Sequence, residues 1–446
     1  MEFKKEIPKY NCIKEVPNYY LFMEHGQPEL CSFLINFFGL DEVRFQAADL
    51  TVIKKWLQVE ELEPINPVEI RGKEEICLVS QIVVEDKLIA YYPYVLVGSN
   101  VPKISLAKGF LTRITEAVSE QVTACFVRGF KGGDWLFGDT FAQRLIANCI
   151  TRNEYKEINF AHLIEKMEQL SVSTFEGRNF TTGVIVTKNL GHYDNNNKFR
   201  YDEVRHIDQL EKRDWFLADG QTSFLLMDTN TNIISMYIAE KSNKTNYIED
   251  FFRNYYRAEI MNEPDFIVRT VGPNEISVSD LYGKEFVKVE NVWRFRYKRN
   301  FVEFLQDKLE LSNEICDAII YYTLKCSRNH ISSIIWIPNN AEDKDIEELT
   351  TANRIRIWDK KLNILVESNE AVIDKVLASD GAIVIEKNGD VLYESVSSKV
   401  ENVKTSGGLV GTGETATRNL AQNGVAIKVS QDGTIKVFAG IDKFFY

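Results

Sequence analysis

Two clusters in the C-terminal third carry residue types suited to phosphoryl chemistry. The first is Asp380-Gly381-Ala382, a carboxylate at the mouth of the apolar run Ala382-Ile383-Val384-Ile385 with small residues beside it. A carboxylate so placed can hold Mg²⁺ or Mn²⁺ and steer a hydroxyl toward a phosphorus atom. The second is the stretch Thr405 to Gly424, rich in Gly and Thr and helix-compatible from about Thr415. Glycines let backbone N–H groups approach an anion, threonine hydroxyls add donors, and a helix N-terminus adds partial positive charge. Arg418 adds a fork-shaped cation. Gly411, Thr412, Gly413, Thr415, Thr417 and Arg418 together read as a triphosphate cradle. Each cluster also has a purely structural reading, because Asp-Gly is a common turn pair and Gly/Thr-rich stretches are common surface connectors.

Two other segments invite a functional reading and are better read structurally. Arg128-Gly129-Phe130-Lys131-Gly132-Gly133-Asp134-Trp135 is Gly-rich, but no Gly-Lys-Ser/Thr follows, so it reads as a turn between two helices. Trp293-Arg294-Phe295-Arg296-Tyr297-Lys298-Arg299 interleaves aromatics with cations, as a stacking platform for single-stranded nucleic acid would. Strict alternation is equally the mark of a half-buried strand, with Trp293, Phe295 and Tyr297 inward and Arg294, Arg296 and Lys298 in water. The acidic chain favours the strand.

The elements that must position the two clusters follow from periodicity. Ser312 is an N-cap for a helix with Ile315, Ala318, Ile319, Tyr322 and Cys326 on one face, leading into the strand Ile331–Ile337, which Pro338 closes. A charged loop, Ala341 to Glu348, and a strand-like Arg354–Trp358 come next. A second helix from near Ser368 faces Val372, Ile373, Val376 and Leu377 inward and delivers the chain to Asp380. Asn388-Gly389 turns the following hairpin, Gly424 ends the helix after the Gly/Thr stretch, and a last hairpin turns at Asp432-Gly433. Upstream, residues to about 100 mix α and β signals, and helical spacing runs from Ser105 to about Cys149. A further α/β stretch then holds a helix near Phe160–Leu170, the strand Thr181–Thr187 and a hairpin, Phe224–Met227 with Ile233–Ile238. Leu217-Ala218-Asp219-Gly220 before that hairpin echoes Leu377-Ala378-Ser379-Asp380-Gly381, as a diverged duplicate or as a chance recurrence of a common turn.

At about 150 residues per domain, 446 residues make two or three domains. A composition of 44% hydrophobic and 26% charged residues is that of globular protein and excludes a largely disordered or fibrous chain. A net charge of −12 gives no general attraction to nucleic acid or anionic lipid, so any polyanion must meet a local site. The N-terminus has no apolar stretch of the kind a secretory signal needs, and no run is long enough for a membrane helix. Seven scattered cysteines without a Cys-x-x-Cys pair suit reduced thiols in a cytoplasm, and five dispersed histidines indicate no structural zinc.

The C-terminal arrangement resembles the diadenylate cyclase (DisA N-terminal) domain family, which condenses two ATP molecules into cyclic di-AMP. In that family a helix and apolar strand precede an Asp-Gly-Ala motif on a hairpin, matched by Asp380, Gly381 and Ala382 with Asn388-Gly389 after them. A Gly/Thr loop with an Arg-His-Arg motif then opens a helix, and a hairpin with a Ser-x-x-Gly-x-Ile pattern closes the domain, matched by Ser430, Gly433 and Ile435. The resemblance covers about residues 300–446. It departs at Thr417-Arg418-Asn419-Leu420, which keeps only the first Arg, and in lacking the acidic segment that follows the helix.

The resemblance implies an α/β fold, with a C-terminal mixed sheet flanked by helices (300–446) after two α/β or α+β regions (1–155 and 156–299) that act as sensor regions, the second as sensor or diverged duplicate. It implies ATP as substrate with Mg²⁺ or Mn²⁺, Asp380 as metal ligand and orienter of the 3′-hydroxyl, and Gly381 and Ala382 along base and ribose. The phosphates would lie on Gly411, Thr412, Gly413, Thr415, Thr417 and Arg418, with Lys404, Lys428 or a partner-subunit residue replacing the missing cation. Two such domains must self-associate face to face for turnover. The altered motif points to an alternative, a nucleotide-binding regulator without catalysis, and a third reading makes Gly407 to Gly413 the mobile loop of an interaction scaffold.

Overall fold

A computed structural model describes residues 22–45, 68–69, 75–84, 87–98, 110–128, 137–151, 158–193, 198–238, 246–256, 261, 265–280, 283–289, 291–356, 362–399 and 411–446. The chain divides into two compact units, one of residues 1–156 with 160–162 and 292–294, the other of the remaining residues to 446.

In the first unit, helix α1 (Gln27–Phe38) precedes an antiparallel sheet of β1 (Glu42–Phe45), β2 (Val68–Glu69), β3 (Glu75–Val84) and β4 (Lys87–Val97), in the order β1-β4-β3-β2. Gly39 ends α1 in the left-handed region, its N–H bonded to the Ile35 carbonyl. Helices α2 (Phe110–Arg128) and α3 (Asp139–Thr151) account for the helical spacing of this region. Ile114, Val118 and Val122, four apart, form the buried stripe of α2. The Arg113 guanidinium ties α2 to the Cys149 carbonyl of α3 at 2.8 Å. The Gly-rich segment between these helices lies outside the described residues.

The second unit holds two eight-stranded sheets, save for residues 292–294 of one edge strand. The middle lobe runs α4 (Phe160–Ser171), a short hairpin of β5 (Thr174–Phe175) and β6 (Arg178–Asn179), β7 (Gly183–Val186), β8 (Lys198–His206), α5 (Lys212–Leu217), β9 (Ser223–Met227), β10 (Asn232–Ile238), α6 (Tyr247–Tyr256), β11 (Phe266–Gly272), β12 (Glu275–Asp280), β13 (Lys284–Val289) and β14 (Val292–Tyr297). The C-terminal lobe runs α7 (Lys298–Leu309), α8 (Asn313–Arg328), β15 (Ser333–Ile337), α9 (Asp343–Leu349), β16 (Thr350–Arg356), β17 (Leu362–Asn363), α10 (Glu370–Leu377), β18 (Ala382–Ile385), β19 (Asp390–Ser398), α11 (Thr412–Leu420), β20 (Val425–Val429), β21 (Ile435–Ala439) and β22 (Asp442–Phe445).

Seven strands of each sheet share one connectivity. The orders are β8-β10-β9-β7-β11-β12-β13 and β16-β19-β18-β15-β20-β21-β22. In each, the two central strands are parallel (β7 with β9, β15 with β18) and the flanking pairs are antiparallel. A helix precedes the first strand, another sits before the third, and a crossover helix links the fourth to the fifth. β14 extends the first sheet beyond β13, and β17 pairs with β19.

Ser312 caps α8 as its sequence predicts, its hydroxyl accepting the Ile315 N–H, and the stripe from Ile315 to Cys326 is buried. Alternate residues of the C-terminal sheet feed two cores. Ile335, Ile337, Ile383 and Ile385 pack toward α7, α8 and α10, whereas Ile334, Trp336, Ala382 and Val384 pack toward α9 and Leu420 of α11. Ile248, Phe252 and Tyr255 of α6 join the first of these cores, so the middle lobe rests on the face opposite α11.

Three local readings are corrected. The expected loop at Ala341–Glu348 contains α9, whose first turn places Asp343 and Asp345 at the positive end of the helix and buries Ile346. Val372 is 51% exposed, because the inner face of α10 is the Ile373, Val376, Leu377 stripe. Arg296 is 3% exposed rather than in water. Burial by itself would lower its pKa, and the neighbouring Glu285, Tyr255, Tyr446 and Glu275 together outweigh that and raise it.

Candidate functional site

Asp380 reaches the surface because α10 stops three residues earlier, at Leu377, and the chain turns sharply into β18. The Ser379 hydroxyl closes the helix end by donating to the Val376 and Glu394 carbonyls. Gly381 has φ +99°, and a Cβ there would stand 2.7 Å from the Ser395 hydroxyl and 2.9 Å from the Val396 carbonyl, so glycine alone fits. The Ser395 hydroxyl in turn donates to the Asp380 carbonyl at 2.5 Å. This fixes the backbone and leaves the carboxylate exposed, accepting the Gly381 N–H at 3.1 Å. Ala382 is buried in the core beneath α11.

α11 begins at Thr412, three residues earlier than its sequence suggests, with Gly411 extended as N-cap. Gly411, Thr412, Gly413 and Thr415 therefore line its head, and the Thr415 N–H and hydroxyl both reach the Gly411 carbonyl. Thr417 is buried and donates its hydroxyl to the Gly413 carbonyl inside the helix. Arg418 lies further along and grips Glu414, with Nε and Nη2 at 3.1 and 2.7 Å from one carboxylate oxygen. Lys436 takes the other oxygen at 2.6 Å. Burial pushes the Glu414 pKa up, and the hydrogen bonds from Lys436 and Arg418 overcome it to hold the carboxyl below its ordinary value. Residues 405–410 and Lys404 lie outside the described residues.

Strand register joins the two clusters. Ala382, Ile334, Lys428 and Lys436 are directly opposite one another on four adjacent strands and so share a face. Lys428 is thus two strands, about 10 Å, from the start of β18. It also lies against the first turn of α11: a Cβ on Gly413 would meet its Cε at 3.1 Å and its Nζ at 3.5 Å. Its ammonium donates to the Ser332 hydroxyl at 2.6 Å, and burial lowers its pKa. Glu414, Lys436 and Ser332 were not singled out by sequence reasoning. The alternation Lys428-Val429 and Ile435-Lys436 about Asp432-Gly433 is the signal that could have found Lys436, since the hairpin sets that register. At its tip the Gly433 N–H reaches the Ser430 carbonyl at 2.9 Å, and Gly433 has φ +78°.

The two departures from Arg-His-Arg point inward. Asn419 is buried and donates to the Leu349 carbonyl and the Ser398 hydroxyl, while Leu420 is wholly in the core. Among the described residues no group of three His, Cys, Asp or Glu could enclose a metal ion, and no helix is long and apolar enough to cross a membrane. A lone exposed carboxylate suits Mg²⁺ or Mn²⁺ that takes its remaining ligands from substrate phosphates and water. Burial pushes the Cys77, Cys125, Cys316 and Cys326 thiols up to about 12, which leaves them inert as nucleophiles.

No family model matches the chain, and no curated protein matches it. Among solved structures, the chain is similar to a cysteine double mutant of DacA from Staphylococcus aureus, with 16% identity over 30% of this chain and 85% of that one and a TM-score of 0.21.

Proposed function

We propose that the C-terminal lobe binds ATP with Mg²⁺ or Mn²⁺ and condenses two molecules into cyclic di-AMP. The observation that carries this reading is the sheet row in which Ala382, two residues after the exposed Asp380, lies two strands from Lys428, which itself lies against the head of α11. Asp380 would hold the metal and orient the 3′-hydroxyl. Gly411, Thr412, Gly413 and Thr415 would receive the phosphates, with Lys428 as a cation against the first turn and Gly381 beside base and ribose, while Ala382, buried beneath α11, would support them from within the core. The bound metal would neutralise charge developing on the phosphates. Each 3′-hydroxyl oxygen would attack the α-phosphorus of the other nucleotide, the α–β phosphoanhydride bond would break, and pyrophosphate would leave. Two lobes from separate chains must therefore meet, and the residues before 298 are proposed to regulate that meeting.

A second reading, nucleotide binding without turnover, is favoured by Asn419 and Leu420, whose inward packing removes the family's second Arg from the site. Mass spectrometry of products from ATP with Mn²⁺ or Mg²⁺, for the wild type and Asp380→Asn, tests both. Cyclic di-AMP from the wild type alone supports the enzyme. A melting-temperature rise on adding ATP, with no product at high protein concentration, leaves the binding module. Neither product nor shift removes both readings.

A further inference from the structure

The shared seven-strand connectivity extends to individual positions. Asp380-Gly381 follows α10 and opens β18, and Asp219-Gly220 follows α5 and leads into β9, both glycines having positive φ (+99° and +73°). The crossover helices α11 and α6 carry Glu as third, Arg as seventh and Asn as eighth residue: Glu414, Arg418 and Asn419 in one, Glu249, Arg253 and Asn254 in the other. On the strand after each crossover helix a cation stands opposite the first inward-facing position of the central strand. Lys428 pairs with Ile334 of β15, and Arg269 pairs with Gly183 of β7. Connectivity, turn, helix positions and cation coincide in order and in place, which a chance Asp-Gly turn does not explain.

The two lobes differ in whether this constellation is open. The Asp219 carboxylate is consumed by its own turn: one oxygen accepts the N–H groups of Gln221, Thr222 and Ser223 at 2.6–2.9 Å, and the other accepts the Thr222 hydroxyl at 2.6 Å. Gly220 is pressed on Gly183, where a Cβ would stand 2.6 Å from the Gly220 Cα. Arg269 is 1% exposed, lies 4.3 Å over the Tyr255 ring and 4.0 Å from Glu285, and reaches the Gly220 carbonyl at 3.5 Å. The head of α6 faces the C-terminal lobe, the Tyr247 hydroxyl meeting the Ile364 carbonyl at 2.7 Å and the Tyr322 hydroxyl at 3.1 Å.

We infer that residues 160–289 are a second copy of the C-terminal core in which the ligand site has closed and the crossover helix has become the surface that docks the C-terminal core, so that the chain carries one ligand site and not two. The count of ligand sites rests on the nucleotide reading above; the closure of the middle lobe does not. Equilibrium binding of a non-hydrolysable ATP analogue with Mn²⁺ to the full chain is expected to give one nucleotide per chain, and two per chain would overturn the inference. Asp219→Ala is expected to lower the melting temperature by about 4 °C or more and to leave nucleotide affinity within about twofold, with Asp219→Asn as the milder variant for the binding arm if Asp219→Ala does not fold. Asp380→Ala is expected to do the reverse. An Asp219 variant that keeps its melting temperature, or one that loses nucleotide binding while remaining folded, sinks the closed copy. If the wild type binds no nucleotide, the functional reading fails, and the melting temperature of Asp219→Ala still decides the closure.

Discussion

Glu414 is the residue whose role the ion pairs define most sharply. It neutralises Arg418 and Lys436 with a carboxylate on the first turn of α11, standing where an anionic ligand would compete. Glu414→Gln is therefore expected to raise affinity for ATP severalfold in a direct titration while lowering thermal stability slightly; a fall in affinity would show that the acid organises the cations for the ligand. The pH dependence has a definite sign. The folded-state pKa lies below the ordinary 4.5, so the contribution of this carboxylate is complete above that value and is lost as pH falls through the folded pKa. The stability gap between wild type and Glu414→Gln should accordingly be constant well above pH 4.5 and shrink as the pH falls below it in denaturant titrations.

At the scale of elements, two glycines let helices and strands meet at the candidate site. Gly424 ends the turn after α11 with φ +117°, and a Cβ there would stand 2.2 Å from the Ile337 carbonyl and 2.8 Å from the Pro338 Cα. Neither backbone can yield without moving β15 or β20, the centre of the sheet. Gly424→Ala should cost about 3 kcal/mol or more by chemical denaturation. Gly381→Ala meets a side-chain hydroxyl and a carbonyl of β19 instead. It should displace Asp380 and cut product formation or nucleotide affinity by at least about tenfold, with a smaller loss of stability.

At the scale of the molecule, the second unit is held by a buried polar seam as well as by apolar packing. Tyr255 of α6 donates to Glu285 at 2.6 Å, Ser277 bonds the same oxygen, and the Arg328 guanidinium of α8 lies 3.9 Å over the Tyr255 ring. Glu285 is 0% exposed and faces the Arg269 and Arg296 cations. Glu285→Ala should thus cost about 3–5 kcal/mol, because it removes the fully buried carboxylate that faces both cations, and urea unfolding followed by tryptophan fluorescence would measure it. The closed middle lobe also has a kinetic consequence. On the proposed condensation the second ATP would come from another chain, because the corresponding turn of the middle lobe is closed on itself, and product formed per chain should then rise with protein concentration.

The sequence by itself determined the local elements of the C-terminal lobe: the Ser312 cap, the α8 stripe, the Asn388-Gly389 and Asp432-Gly433 turns, and the small-residue neighbourhood of Asp380. These are legible because capping, periodicity and turn chemistry act over a few residues. Only the tertiary structure decided which polar groups remain available. Thr417 and Asn419 turn inward because α11 packs its Thr417, Asn419, Leu420 side on the sheet, and Arg418 is held by Glu414 one turn away, whose other carboxylate oxygen takes Lys436 from β21. Arg296 alternates as a solvent-facing strand residue should, yet it is buried, with Tyr255 of α6 and the C-terminal Tyr446 beside its guanidinium. The repeat had the same limit: Asp219-Gly220 is two letters in the sequence, and only the pairing of strands far apart in the chain shows them occupying the place that Asp380-Gly381 holds. Burial and strand register are set by contacts between distant residues, which local patterns do not encode.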